Sequence, residues 1–230
     1  MGFDIKICGL TTMEALDAAL EAGADLVGFV HFPKSPRHLP LAAARALAAH
    51  VRGRALKVAL MVNADDALIA EVIAALDPDI LQLHGAETPE RTREIRARFG
   101  RPVMKALPVA TRDDLSRVGA YAAVSDRLLF DAKPAPGALL PGGNGRVFDW
   151  DLIRGLDAGR PLMLSGGLDA GNVVEAIAAT GVDGVDVSSG VETAPGVKSP
   201  EKIHAFVAAA RRASAAAGHS PNLPSKAQAS

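Results

Sequence analysis

Phe3-Asp4-Ile5-Lys6-Ile7-Cys8-Gly9-Leu10-Thr11 is the segment whose pattern the rest of the chain repeats. Its apolar and polar residues alternate with a period of two, which predicts a β-strand that ends at Gly9. Thr11 and Glu14 have the spacing of a capping box, so a helix is predicted to begin directly afterwards. The only cysteine, Cys8, is therefore predicted at the carboxyl end of a strand, where α/β folds carry their reactive groups.

Strand and helix patterns alternate in the same way along the whole chain. Further strands are predicted at 25–30, 55–62, 80–84, 103–107, 127–131, 161–164 and 184–187. The predicted helices include 112–118, 149–156, 169–179 and a last long helix from Ser199 to about Arg212. Eight consecutive units without a hairpin favour a (β/α)8 TIM barrel, with eight parallel strands inside an outer ring of helices. A doubly wound open sheet is the structural alternative.

Composition narrows the class of protein and its partners. The formal net charge of -1 gives no electrostatic case for binding nucleic acid or an anionic membrane. The longest apolar runs, such as 55–62, are strand-sized and shorter than the roughly 20 residues of a membrane span. One cysteine forms no intramolecular disulfide and the first residues lack a signal-peptide pattern, so a cytoplasmic protein is expected.

The chain is predicted to form one domain with a short tail. No shift in composition marks an internal boundary, so residues 1–213 are assigned to a single barrel. Residues 214–230 are mostly small or polar with a single leucine, and we expect a disordered tail because they bury little apolar surface.

Four side chains, three at predicted strand ends and one in a loop, are candidates for chemistry. Cys8 is either a buried apolar filler or a general base whose pKa is lowered by a neighbouring cation or helix N-terminus. Asp131 is either a general acid or a partner of Lys133. Arg37, in a proline-stiffened loop, suits a bidentate carboxylate contact, but without further context the pattern favours a surface arginine. His84 either lines the mouth or is a satisfied strand-end histidine, and because the other histidines form no ligand cluster, no metal is predicted.

Two glycine-rich turns follow the last two predicted strands, Ser165-Gly166-Gly167-Leu168 and Ser188-Ser189-Gly190-Val191-Glu192. In a closed barrel these turns are neighbours, and their backbone N–H groups make a phosphate site. A tight helix-starting turn is the alternative for either one alone.

Seven segments in order resemble the phosphoribosylanthranilate isomerase family of tryptophan biosynthesis. They are Lys6 to Thr11, Ser35-Pro36-Arg37, Leu81 to Gly85, Phe130 to Lys133, Pro141 to Gly145, Leu164 to Leu168 and Gly184 to Glu192. The resemblance implies a TIM-barrel enzyme that isomerises a phosphoribosylated anthranilate to its deoxyribulose isomer by an Amadori rearrangement, without a cofactor. It implies a small phosphorylated substrate as partner and a monomer or homodimer.

The resemblance also implies roles for the matching residues. Cys8 corresponds to the general base, Asp131 to the general acid and Arg37 to the contact with the anthranilate carboxylate. The remaining implied residues are His84 and Asp186 for substrate binding, Gly166, Gly167, Ser188, Ser189 and Gly190 for the phosphate, and Gly142, Gly143, Asn144 and Gly145 for a mobile loop. Asn144 stands where the family usually has threonine.

Two other functions share the phosphate turns. Another sugar-phosphate TIM-barrel isomerase or synthase would need a catalytic lysine and an N-terminal extension, or aspartates in place of Cys8. A noncatalytic sugar-phosphate-binding barrel would need neither Cys8 nor Asp131.

Overall fold

The computed structural model describes residues 2–134, 137, 142, 145 and 147–221 and confirms the closed barrel. Its eight parallel strands are β1 (Gly2–Cys8), β2 (Leu26–His31), β3 (Leu56–Met61), β4 (Ile80–Leu83), β5 (Val103–Val109), β6 (Arg127–Ala132), β7 (Leu162–Leu164) and β8 (Gly184–Val187). Each strand pairs with the next, and β8 pairs with β1, which closes the ring. An open doubly wound sheet is thereby excluded.

The outer helices within the described ranges are α1 (Met13–Ala22), α2 (Leu41–Val51), α3 (Asp66–Leu76), α4 (Pro89–Phe99), α5 (Val118–Ala122), α6 (Val173–Thr180) and α7 (Pro200–Ala216). Three of the predicted helices differ from those observed in their type or starting residue. The predicted helix 112–118 is a 3-10 helix, Arg112–Arg117, followed by α5, and the predicted helix 149–156 is only a 3-10 turn, Trp150–Ile153. The predicted helix 169–179 begins later, at Val173, because the Asp169 side chain accepts hydrogen bonds from the N–H groups of Gly171 and Asn172 in a turn.

The N-terminus of α1 shows how local sequence sets an element. The side chain of Thr12, and not the predicted Thr11, accepts a hydrogen bond from the N–H of Ala15. Two adjacent threonines offer the same chemistry, and the strand end determines which one has the extended backbone of a cap. Gly23 ends the helix in the left-handed conformation, which glycine adopts without strain.

The alternation along β1 separates two cores. Phe3, Ile5 and Ile7 belong to the large cluster between the strands and the helices, and each is fully buried. The alternate residues Lys6 and Cys8 therefore face the barrel interior. A smaller apolar cluster fills that interior below the site: Leu26, Val58, Ile80, Met104, Ala106, Leu129 and Met163.

The folded part of the chain extends beyond the predicted boundary at residue 213. Helix α7 continues to Ala216, with Ser214 only 4% exposed, so small side chains suffice for packing there. A short strand, β11 (Ser220–Pro221), pairs with the start of β1, whereas a separate hairpin is formed by β9 (Glu192–Ala194) and β10 (Val197–Lys198). Residues 222–230 of the predicted tail lie outside the described residues. Within the described ranges, no helix combines the length and apolar character needed to cross a membrane.

Candidate active site

An open cavity lies at the carboxyl ends of the strands, with about 650 Å³ of empty space including its solvent-filled mouth, and it collects most of the predicted site residues. The predicted residues in its wall are Cys8, Arg37, His84, Asp131, Gly142, Gly166, Gly167, Asp186, Ser188 and Ser189. Gly190 and Gly145 are described but are not in that wall, and Gly143 and Asn144 fall outside the described residues. A thiol, a carboxyl and a guanidinium group thus share one cavity.

The Cys8 thiol is enclosed at the end of β1. It is 3% exposed, and burial raises its pKa, opposed by the positive charge of Lys6. The expected lowering of the pKa by a cation is therefore wrong in its net direction, because the loss of hydration outweighs the cation. Cys8 is paired in register with Gly28 on β2.

A buried ion pair lies beside that thiol. Lys6 Nζ is 2.8 Å from Asp186 Oδ1, and the side chains are 0% and 5% exposed. Burial alone opposes the charge of Lys6, but Asp186 and Cys8 outweigh it, so the pKa of Lys6 lies above its ordinary value. The ion pair keeps the ammonium group of Lys6 charged inside the barrel, close to the sulfur of Cys8.

Asp131 is held at both oxygens at the end of β6. Its Oδ1 accepts a hydrogen bond from the N–H of Ala132 at 2.9 Å, and its Oδ2 lies 3.1 Å from His84 Nε2. The alternative partner, Lys133, instead donates to Asp114 at 2.8 Å. A histidine and the backbone therefore orient this carboxyl toward the cavity.

Arg37 is not a surface arginine but a buried one. Its Nε and Nη2 donate to the two oxygens of Glu192 at 2.7 and 2.8 Å. Burial alone would lower the pKa of Arg37, but the Glu192 carboxylate outweighs burial, so this pKa lies above its ordinary value. Burial alone would raise the pKa of Glu192, but Arg37 and Lys198 outweigh it and hold this pKa below its usual range. Lys198 Nζ also lies 2.8 Å from Glu192 Oε1. Two cations and one buried carboxylate thus fix the guanidinium plane.

The two glycine turns meet as the sequence predicted. Gly166 and Gly167 have φ values of 90° and 63°, the left-handed region that glycine adopts without strain. A side chain at Gly190 would collide with the carbonyl oxygen of Leu168, so the turn after β8 packs directly against the turn after β7. Ser188 Oγ donates to the carbonyl oxygen of Cys8 at 3.1 Å, which ties the second turn to β1.

Gly142, from the long loop after β6, approaches the same carboxyl. A Cβ at this position would lie 2.6 Å from His84 Nε2 and would collide with Asp131 Oδ2. Only glycine lets the backbone come this close to the two side chains.

Sequence reasoning missed several residues around the site: Lys6, Gly28, Gln82, Glu192 and Lys198. Lys6 and Gln82 carry a usable signal, because each is a polar residue two positions before a candidate on the same strand and therefore faces the same way. Glu192 carries no such signal, since its partner Arg37 is 155 residues away.

Comparisons with known proteins give consistent results. A model of the N-(5'-phosphoribosyl)anthranilate (PRA) isomerase family matches residues 5–209. N-(5'-phosphoribosyl)anthranilate isomerase of Azorhizobium caulinodans is 69% identical over 216 residues, which cover 94% of this chain and 95% of that protein.

Solved structures agree with the sequence relatives. The crystal structure of phosphoribosyl anthranilate isomerase from Thermotoga maritima has a TM-score of 0.83 and 36% identity, and monomers generated from that dimeric enzyme have values of 0.77 and 34%. A complex with reduced 1-(o-carboxyphenylamino)-1-deoxyribulose 5-phosphate has a TM-score of 0.78 and 34% identity. Each covers 91% of this chain and 99% of the other.

Proposed function

Because the chain belongs to the N-(5'-phosphoribosyl)anthranilate isomerase family, aldose-ketose isomerases of tryptophan biosynthesis, we propose that Cys8 is its general base and Asp131 its general acid. The observation that supports these roles best is that both side chains line one cavity from different strands. They are 3% and 4% exposed, so proton transfer would take place shielded from bulk water.

The chemistry needs one proton donor and one acceptor. Asp131 protonates the furanose ring oxygen, the bond from C1 to that oxygen breaks, and the substrate nitrogen forms a protonated Schiff base. The Cys8 thiolate then removes the C2 proton and leaves an enolamine. Ketonisation adds a proton at C1 and releases the proton of the C2 hydroxyl, which returns Cys8 and Asp131 to their starting states. No step of this sequence requires a cofactor.

We assign substrate contacts by charge and position. Arg37, with its plane fixed by Glu192, contacts the anthranilate carboxylate, and Asp186 contacts the ribose hydroxyls. The N–H groups of the two glycine turns hold the phosphate, through Gly166, Gly167, Ser188, Ser189 and Gly190. Of the loop 142–145, Gly142 lies against Asp131 and His84, and we assign it to the edge of the substrate site.

We further propose a cytoplasmic location and a monomer or homodimer built on one barrel domain. A reducing compartment keeps the single free cysteine as a thiol, which the base needs. Light scattering after size exclusion distinguishes the two assemblies, and a larger particle would contradict both.

The roles are tested by turnover of enzymatically generated phosphoribosylanthranilate. We expect Cys8→Ser and Asp131→Asn each to lower kcat by a factor of about 10² or more, because each removes a general acid or base. Asp114→Asn, a carboxylate outside the cavity wall, is the matched control and should retain normal kcat. Near-normal turnover in either site variant would remove its assigned role. Failure of the wild-type gene to restore growth of a tryptophan auxotroph blocked at this step would contradict the function itself.

A further inference from the structure

Gln82 on β4 is a polar side chain in the closed interior of the barrel. It is fully buried and lies in register with Leu60 on one side and Met104 on the other. Its Oε1 atom has no hydrogen-bond partner among the described residues. A buried acceptor without a partner destabilises the fold, so an apolar residue would be more stable at this position. The functional end of the amide is therefore its nitrogen, Nε2, which has a hydrogen-bond partner.

That other end reaches the general acid through one imidazole. Gln82 Nε2 lies 3.1 Å from His84 Nδ1, and His84 Nε2 lies 3.1 Å from Asp131 Oδ2. An amide nitrogen only donates, so Nδ1 is the acceptor and the proton of the neutral ring resides on Nε2. His84 consequently donates to Asp131.

We propose that Gln82 is a positioning residue that locks His84 in the Nε2–H tautomer and thereby orients and supports Asp131, an assignment that rests on the proposed role of Asp131 as the acid. With Oδ1 held by the Ala132 N–H, the carboxylate left after proton transfer accepts a hydrogen bond at each oxygen. In the acid form of Asp131, the transferable proton is bonded to Oδ2 and faces the cavity.

The opposite amide orientation would reverse the chain of hydrogen bonds. A carbonyl facing Nδ1 would require a proton there and leave Nε2 as an acceptor. The proton of Asp131 would then be drawn to His84 and away from the substrate. Gln82 thus determines in which direction the acid presents its proton.

The kinetic test compares Gln82→Met, which removes the donor, with Gln82→Glu, which places an acceptor at Nδ1. We expect kcat to fall by about tenfold in both, with KM changed by less than about threefold, since substrate contacts remain. Met104→Leu, a neighbour in the same interior region, is the matched control and should leave both constants unchanged. In a His84→Asn background, Gln82→Met should have little further effect, because Gln82 acts through His84.

In the spectroscopic test the decisive spectrum is that of the wild-type enzyme. Nitrogen-15 NMR of the imidazoles, assigned with His84→Asn, should show His84 as the Nε2–H tautomer, and Gln82→Glu should shift it to Nδ1–H or to the cation. A wild-type Nδ1–H tautomer would overturn the proposal even if no Gln82 variant folds, and so would a wild-type kcat in Gln82→Met. Near-normal turnover of Asp131→Asn would instead refute the proposed acid, whatever the tautomer.

Discussion

Gly28 on β2 leaves room for the sulfur of Cys8 on β1: a Cβ at position 28 would lie 2.9 Å from Cys8 Sγ and 3.2 Å from Lys6 Cε. The two strands are in register at this point, and the absent side chain is what lets the thiol and the stem of Lys6 share one space. The position of the proposed base therefore depends on a residue that has no chemistry of its own.

Gly28→Ala should displace the Cys8 side chain. We expect kcat to fall by about tenfold or more and the free energy of unfolding to fall by about 1–3 kcal/mol, the usual cost of overpacking. Steady-state kinetics and urea unfolding measure the two effects. Gly119→Ala is the matched control, because a Cβ there meets no atom within 4 Å, and equal behaviour of the two variants would contradict the steric argument.

Lys6→Met should make the Cys8 thiol harder to ionise. Burial already raises the pKa of Cys8, and Lys6 opposes that rise, so the rate should increase with pH in the wild type and the rising limb should move to higher pH in the variant. Thiolate absorbance near 240 nm reports Cys8 alone, because the chain has one cysteine. Cys8→Ser provides the blank. If the loss of the Lys6 partner of Asp186 prevents folding of Lys6→Met, Lys198→Met gives the same test with a weaker shift. A rising limb of the pH–rate profile that does not move would contradict the effect of these cations on the pKa of Cys8.

Glu192→Gln should loosen Arg37. Removing the charge between Arg37 and Lys198 leaves two poorly compensated buried cations, which costs about 3–5 kcal/mol of stability. In Glu192→Gln we expect KM to rise about tenfold, because Arg37 is misplaced. In Arg37→Ala we expect KM to rise with some loss of kcat. Asp151→Asn, which breaks an exposed pair with Arg154, should change neither stability nor KM. An unchanged KM in Arg37→Ala would disprove the carboxylate contact.

His31 should make the fold sensitive to acid. Its side chain is 2% exposed, and burial, with His38 nearby, lowers its pKa from 6.5 to about 4 against an opposing effect of the Leu39 backbone. Between pH 6.5 and pH 4 the unfolded chain binds a proton at His31 and the folded chain does not. The contribution of His31 to the free energy of unfolding is therefore fully present above pH 6.5 and is lost as the pH drops toward 4, by about 3 kcal/mol in total. His31→Leu should remove that part of the pH dependence in urea titrations. Exposed His204→Gln is the control, and an unchanged slope in His31→Leu would contradict the assignment.

The barrel could be predicted because its signals are local. The alternation at Phe3, Ile5 and Ile7 has the period of a strand, and Gly9 marks the end of that strand. Predicted strand bounds lie close to the observed ones for the same reason. The helix predicted at 149–156 was wrong because apolar spacing alone does not show that the chain keeps only a 3-10 turn there.

The site was predictable only in part. Cys8 and Asp131 follow from their position at strand ends, and the glycine turns from their position directly after strands, since every parallel strand of a barrel has its carboxyl end at one rim. The partners that tune them do not follow, because the pairs Arg37 with Glu192 and Lys6 with Asp186 join residues 155 and 180 positions apart. The period of the sequence also does not show that burial of Cys8 raises its pKa by more than the neighbouring Lys6 lowers it.

The pairing of β11 with β1 brings residue 220 beside residue 2 at the floor of the barrel, opposite the cavity. A short peptide could replace residues 222–230 and join these ends head to tail, and the chain could be opened instead at an exposed link such as Gly53. Such a circular permutant would begin and end elsewhere while keeping every catalytic distance. A carrier protein fused at this floor would likewise leave substrate entry unobstructed.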